Sequence, residues 1–140
     1  MRVFIDCEFN SFGGALITMA LVDEGGRHWY KAAPLYEPLH PWVAENVVPV
    51  IGNVVCLERP EFSASLAGFL RAYDAVHLIA DRPEDIKFFC EALITGPGQR
   101  IDTPPLAIEI RRDLDAESSV PHNALADAQA ICALYMGNHA

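Results

Sequence analysis

The sequence predicts an α/β fold in which helices flank a mixed central sheet. Before residue 35, three strand-like apolar runs follow one another with only glycine-rich turns between them, which is typical of antiparallel strands. Beyond residue 60, apolar runs alternate with segments of helical spacing, which indicates strand–helix units. A chain of 140 residues is long enough to bury one core, so we predict a single domain over residues 1–140.

The N-terminal part of the chain is predicted to form three consecutive antiparallel strands. They span Arg2–Phe9, Ala15–Val22 and His28–Ala33. Gly13–Gly14 marks the first turn, and Asp23–Gly26 is a strong hairpin signal between the second strand and the third.

The middle of the chain is predicted to contain three helices and one buried strand. Trp42–Val48 is predicted to be one short helix, and Glu61–Tyr73 a longer one because its apolar residues recur at helical spacing. Ala75–Ala80 is continuously apolar, as in a strand covered on both faces. Pro83 then begins a helix that ends near Leu93, since proline is favoured in the first helical turn.

The C-terminal part is predicted to add one strand and one helix. Gly96–Pro105 is rich in proline and glycine and is predicted to be a loop, and Leu106–Ile110 is predicted to be the last strand. Ala124–Met136 is predicted to be the final helix, with Asn123 as its N-cap. Three antiparallel strands, then strand–helix units and a C-terminal helix fit the ribonuclease-H-like α/β fold.

Composition and charge restrict the partners and the compartment. A net charge of −9 argues against a groove that grips long duplexes by neutralising phosphates, but acidic metal ligands would account for part of it. The apolar runs are too short to cross a bilayer, and no signal peptide is visible, so we expect a cytoplasmic protein without a membrane partner. Four cysteines without a C-x-x-C spacing are expected to be reduced core thiols: Cys7, Cys56, Cys90 and Cys132.

Two carboxylates stand at the end of the first predicted strand. Residues i and i+2 of a strand share a face, so Asp6 and Glu8 point together while Ile5 and Cys7 point the other way. Two like charges this close both stay ionised only when a positive group lies between them, and an oxygen-preferring divalent cation meets that need. The alternative is a solvated triplet on an exposed edge strand, although the apolar run before it is more typical of a central strand.

Three acidic residues lie between the predicted central strand and the helix that follows it. A simple role for such acids is to complement the positive end of the helix, and this role alone accounts for the presence of Glu84. We choose Asp85 as a metal ligand because it lies in the first helical turn above the strand end. Asp81, at the tip of the strand, is the alternative.

His122 and Asp127 stand at the start of the final helix. Asp127 falls in its first turn, facing the same end of the sheet as the acids of the first strand. His122 lies just outside the helix, on a loop from which a base can reach a water molecule. The structural alternative is that His122 is a solvated loop residue and that Asp127 complements the helix dipole.

In these motifs the sequence resembles the DEDDh branch of the DnaQ-like 3′-5′ exonucleases, which includes oligoribonuclease, ribonuclease T and polymerase proofreading subunits. The first family motif, an apolar strand with D-x-E, matches Phe4–Phe9 and places its acids on Asp6 and Glu8. The third motif, a His followed five residues later by an Asp, matches His122 and Asp127.

The second family motif departs from its usual pattern in this chain. It normally has an Asn, two or three residues, an aromatic residue and then an Asp. Here Asp81 stands in place of the Asn, Glu84 replaces the aromatic residue, and Asp85 takes the position of the Asp. Asp81 therefore remains an alternative ligand to Asp85.

The resemblance implies a 3′-5′ exonuclease that releases nucleoside 5′-monophosphates from single-stranded nucleic acid, with RNA favoured over DNA. Two Mg²⁺ or Mn²⁺ ions would be bound, and His122 would be the general base. The expected partners are RNA or DNA 3′ ends, and the sequence leaves the oligomeric state open, with a homodimer as one assembly. The alternatives are a ribonuclease-H-like endonuclease and a silent module that binds nucleic acid or protein. The implied metal ligands are Asp6, Glu8, Asp85 and Asp127.

Aromatic residues after the first motif are candidates for stacking on substrate bases. Phe9 and Phe12 follow the D-x-E triplet, and stacking on one base is worth about 1–3 kcal/mol. The alternative is core packing, which strand parity favours for Phe9. Weaker candidates for contacts with the strand or its phosphates are Lys31, Tyr36, Trp42, Arg111, Arg112, Ser118 and Ser119.

Overall fold

A computed structural model describes residues 1–138 of the protein. The strands are β1 (Arg2–Phe9), β2 (Leu16–Asp23), β3 (His28–Ala32), β4 (Val55–Cys56), β5 (Val76–Ala80), β6 (Ile94–Gly96), β7 (Gln99–Arg100) and β8 (Leu106–Ile110). The helices are α1 (Pro41–Asn46), α2 (Arg59–Leu70), α3 (Pro83–Leu93) and α4 (Ala124–Asn138). Within this part of the chain, no helix is long and apolar enough to span a bilayer.

Six strands form one mixed sheet in the order β4-β3-β2-β1-β5-β8. As predicted, β1, β2 and β3 pair as an antiparallel unit. β1 also pairs in parallel with β5, and β5 in parallel with β8. β1 and β5 therefore have neighbours on both sides, which explains why both are apolar along most of their length. Because the two strands are parallel, their carboxyl ends meet at the same edge of the sheet.

Helices cover both faces of the sheet, and the alternation of side chains along β1 identifies the two faces. Ile5 and Cys7 are buried in one core with the apolar residues of α2 and α3. Phe4 is buried on the opposite side, in a cluster with residues of α4. Asp6 and Glu8 have the parity of Phe4 and therefore point to the α4 face, opposite to Ile5 and Cys7.

The helix boundaries follow the prolines of the sequence. α3 has the predicted bounds, with Pro83 as its first residue. α2 begins at Arg59, two residues earlier than predicted, because Pro60 is accepted in its first turn. α1 ends at Asn46, before the predicted end, and a 3₁₀ turn that contains Pro49 continues the chain.

The structure adds three short strands that the sequence did not predict. β4 pairs with the end of β3 at the edge of the sheet. β6 and β7 form a separate hairpin that begins before, and extends into, the segment predicted to be a loop. Runs of two or three residues are too short to show strand periodicity. The prediction of a core thiol was wrong for Cys56, which is exposed because β4 lies at the edge, whereas Cys7 is buried.

Candidate metal centre

The carboxyl end of β1 carries two acidic side chains into the interior. Asp6 is only 8% exposed and lies opposite Ala20 of β2, on a strand that has a neighbouring strand on each side. Glu8 is partly buried and lies opposite Thr18, next to the bulge where β1 ends. The prediction that these acids belong to a central strand is confirmed, and the alternative of a solvated edge strand is excluded.

The cluster contains two groups of three carboxylates that share Asp6. In the first group, Asp6, Glu8 and Asp127 each contribute an oxygen, and these oxygens lie within 4.8 Å of one another. In the second group, Asp6, Asp81 and Asp85 do the same. Carboxylate oxygens are the ligands that Mg²⁺ and Mn²⁺ prefer. The four predicted ligands are thus brought together, and Asp81 joins them.

The second group is positioned by the step from β5 into α3. Asp81 directly follows β5, and Asp85 lies in the first turn of α3, which begins at Pro83. The backbone N–H of Cys7 donates a hydrogen bond to Asp85 Oδ1 at 3.0 Å, which ties this turn to β1. The mid-chain carboxylates are therefore held against the strand that carries Asp6.

The first group depends on where α4 begins. Asn123 caps the helix as predicted, since its Oδ1 accepts a hydrogen bond from the Ala126 N–H at 2.9 Å. Its Nδ2 donates to the Val50 carbonyl at 2.8 Å, which anchors the helix start to the 3₁₀ turn after α1. Asp127, in the first turn of α4, is thereby fixed opposite β1.

Burial and mutual repulsion raise the pKa values of these carboxyl groups. Burial raises the pKa of Asp6 well above its ordinary value, and the charge of Asp85 raises it further. Burial, and then the charge of Asp127, raises the pKa of Glu8 from 4.5 to about 8. Burial, and then the charge of Asp81, raises the pKa of Asp85 from 3.8 to about 8. Without a cation, the cluster therefore retains protons near neutral pH.

Unpartnered oxygens in the cluster test whether a cation fits there. Three of them are buried and lack a hydrogen-bond partner within residues 1–138: Asp6 Oδ2, Asp81 Oδ1 and Asp85 Oδ2. Leaving a buried polar atom unsatisfied costs on the order of 1–3 kcal/mol, and more when the group is charged. A divalent cation would satisfy these atoms and remove the repulsion between them. The donor set fits hard divalent cations.

The cluster opens into a cleft of about 790 Å³, which His122 also lines. His122 is exposed on the loop before α4, and its backbone φ is 70°, in the left-handed region. Its ring packs edge-to-face on the indole of Trp42, with the ring centroids 5.1 Å apart. Loop conformation and ring packing thus hold the imidazole in the same cleft as the carboxylates, as the sequence predicted.

The two predicted stacking residues have different positions. Phe9 forms part of the cleft wall, and its ring also packs against Phe88 of the core with the centroids 5.3 Å apart. Phe12 is fully exposed on the turn after β1 and is not part of the cleft lining. The structure therefore brings Phe9, and not Phe12, to the carboxylates.

The weaker candidates for contacts with the strand or its phosphates also fall partly inside and partly outside the cleft lining. Trp42 and Ser118 line the cleft, whereas the other five residues do not. Tyr36 instead donates a hydrogen bond to Glu58 at 2.7 Å. Arg111 is bound by Asp113, with a shortest N–O distance of 2.7 Å. The remaining candidates outside the cleft lining are Lys31, Arg112 and Ser119.

Sequence reasoning missed three charged residues of the cleft: Arg82, Asp115 and Glu117. Arg82 directly follows Asp81 in the sequence. Because Asp81 stands at the end of a predicted strand, the arginine beside it could have been predicted to lie near the carboxylates. Asp115 and Glu117 lie in an irregular loop, where no periodicity indicates the direction of a side chain.

A scan of protein-family models and a search of curated proteins both return no match to this chain. The function is therefore argued from the fold and from the residues of the cleft.

Proposed function

We propose that this protein is a metal-dependent phosphodiesterase that removes nucleotides from the 3′ end of single-stranded nucleic acid, with RNA favoured over DNA. The observation that carries the proposal is the pair of three-carboxylate groups sharing Asp6. Two divalent cations about 3.5–4 Å apart are the arrangement of many enzymes that cleave phosphodiesters. A carboxylate common to both groups is what such a pair of cations requires.

The sheet order supports a ribonuclease-H-like fold and the DEDDh class. An antiparallel unit of β1, β2 and β3 followed by parallel β5 and β8 is the order expected for that fold. The spacing of His122 and Asp127 supports the 3′-5′ exonuclease branch. A ribonuclease-H-like endonuclease would use the carboxylates without needing this histidine.

The carboxylates divide between two cation positions. Asp6 would contribute to both, Glu8 and Asp127 to one, and Asp85 to the other, with Asp81 beside it as the alternative ligand. When bound there, Mg²⁺ or Mn²⁺ would supply Lewis-acid activation of the attacking water and charge stabilisation at the leaving oxygen.

Groups beside the carboxylates would accept a proton and orient a metal ligand in the proposed reaction. His122 accepts the proton of the attacking water at an imidazole nitrogen, and its exposed loop lets that proton pass to solvent. The Cys7 amide holds Asp85 in a fixed orientation. By the resemblance, the 3′ hydroxyl of the substrate would lie beside Asp6 and Glu8, whereas the dianion of a 3′ phosphate would be repelled by them.

Digestion of a 5′-labelled single strand tests the proposal. With Mg²⁺ or Mn²⁺ we expect stepwise shortening from the 3′ end, release of nucleoside 5′-monophosphates, and no reaction in a chelator or on a 3′-phosphorylated strand. Asp6→Asn should abolish the activity. Glu84→Gln removes an acid from the first turn of α3 that belongs to neither carboxylate group, and it should retain the activity.

Two outcomes would overturn the proposal in different ways. Cleavage within a circular single strand would make the protein an endonuclease on the same carboxylates. If neither RNA nor DNA is cleaved with either cation, the chain is a binding module and not a nuclease.

A further inference from the structure

The loop between β8 and α4 places two further acidic side chains on the wall of the cleft. Asp115 and Glu117 are both exposed and both line the cavity that contains the carboxylate cluster. Neither belongs to a carboxylate group that can hold a cation. The residue between them, Ala116, packs against the core beneath α4 and anchors the loop to that core.

Asp115 and Glu117 have no ion-pair partner among the described residues: across residues 1–138, neither side chain lies within 4 Å of a cationic group. The nearby Arg111 is already engaged, since its guanidinium binds Asp113 and also Glu109. Cations in the metal centre would offset the carboxylates that hold them, but the two loop acids would remain.

The cleft offers little positive charge to a nucleic acid backbone. Among its described lining residues, Arg82 is the only one with a lysine or arginine side chain. Proteins that bind long single strands use a positively charged groove that tracks the backbone. The other charged side chains of the lining are acidic, so the counter-charges for a strand would be Arg82 and the cations bound in the metal centre, which serve the scissile phosphate.

We propose that Asp115 and Glu117 make the enzyme prefer dinucleotides and other very short oligonucleotides by repelling the additional phosphates of a longer strand. This inference rests on the proposed function. A cavity of about 790 Å³ is in the size range of sites for one drug-sized ligand, ~300–1,000 Å³. The cube root of this volume is about 9 Å, close to one Debye length of ~10 Å at 0.1 M salt, so the phosphates of a strand held in the cleft lie within range of the loop carboxylates on its wall.

The test compares kcat/KM on a dinucleotide with kcat/KM on a strand of roughly 16 nucleotides that has the same 3′-terminal sequence. For the wild type we expect the dinucleotide to be preferred by about tenfold or more, because a cleft lined by one sign of charge changes association rates by at least that factor. Raising the salt concentration from about 50 to about 200 mM should reduce this preference by screening.

The double variant Asp115→Asn/Glu117→Gln should increase kcat/KM on the long strand several-fold more than on the dinucleotide. Glu61→Gln/Asp74→Asn removes the same charge from exposed positions outside the cleft and should leave the ratio unchanged. A wild-type preference for the long strand, or an unchanged ratio in the loop variant, would overturn the inference while leaving the nuclease activity in place. If neither substrate is hydrolysed, the proposed function fails and this inference fails with it.

Discussion

Asp81 and Asp85 differ in how they are held, and this difference separates their expected roles. Asp85 is 1% exposed, and its Oδ1 is fixed by the Cys7 amide, so its orientation is set before a cation binds. Asp81 is partly exposed and lines the cleft. We predict that Asp85→Asn lowers kcat at saturating Mn²⁺ by roughly 10- to 100-fold more than Asp81→Asn does. Loss of activity in the Asp81 variant alone would show that Asp81 is the ligand.

His122 is predicted to act in catalysis and not in metal binding. It lies in the cleft but belongs to neither carboxylate group. His122→Ala should therefore lower kcat by about 10²–10⁴-fold, the range for general acid–base groups, while Mn²⁺ affinity measured by calorimetry stays unchanged. Trp42→Phe, which keeps an aromatic ring beside the imidazole, is the matched control. A kcat within twofold of the wild type in the alanine variant would remove His122 from the mechanism.

The site residues that could be predicted from the sequence are those whose direction is set by their own strand or helix. Asp6 and Glu8 follow from strand parity, and Asp127 from its place in a helical turn. Phe12 and Glu117 lie in irregular segments where side-chain direction depends on the whole fold. For that reason the sequence could not place Phe12 relative to the cleft, and Glu117 was missed.

Among the elements, α4 connects the metal centre to the rest of the fold through its N-cap. Asn123→Ala removes the cap and the hydrogen bond to Val50, so we predict a loss of about 1–2 kcal/mol in the free energy of unfolding. Because Asp127 lies one turn later, Mn²⁺ affinity should fall as well. Urea denaturation and calorimetry measure the two effects. Asn53→Ala, at an exposed position, is the control, and equal behaviour of both variants would contradict this account of the helix start.

Elements with enough residues to show periodicity are predicted well from the sequence. α3 and β8 have the predicted bounds, and β5 differs only at its first residue. β4 pairs through two residues with the end of β3, and its position is set by the sheet edge that it covers and not by its own sequence. Long-range pairing of this kind leaves no local signal, so it could not be predicted.

For the whole molecule, the acidic cluster predicts an unusual dependence of stability on pH. The pKa values of Glu8 and Asp85 are raised from 4.5 and 3.8 to about 8, so the folded state binds more protons than the unfolded state between these limits. Stability of the metal-free protein should therefore fall as pH rises from about 4 to about 8. Melting temperatures in a chelator at about pH 5 and about pH 9 test this prediction.

The double variant Glu8→Gln/Asp85→Asn is the control for the pH dependence, since it removes two of the titrating groups and should flatten the slope. Excess Mn²⁺ should raise the wild-type melting temperature most at the higher pH, because the cation replaces protons that are already lost. A wild-type protein that is more stable at about pH 9 than at about pH 5 in the chelator would contradict the electrostatic account.

Calorimetric titration with Mn²⁺ tests whether Asp6 is shared by two cation positions. We predict two ions per wild-type chain and a great loss of affinity for both in Asp6→Asn, because this carboxylate belongs to both groups. Glu8→Gln, which alters only one group, should weaken one ion and leave the other. Wild-type stoichiometry and affinity in Asp6→Asn would contradict the claim.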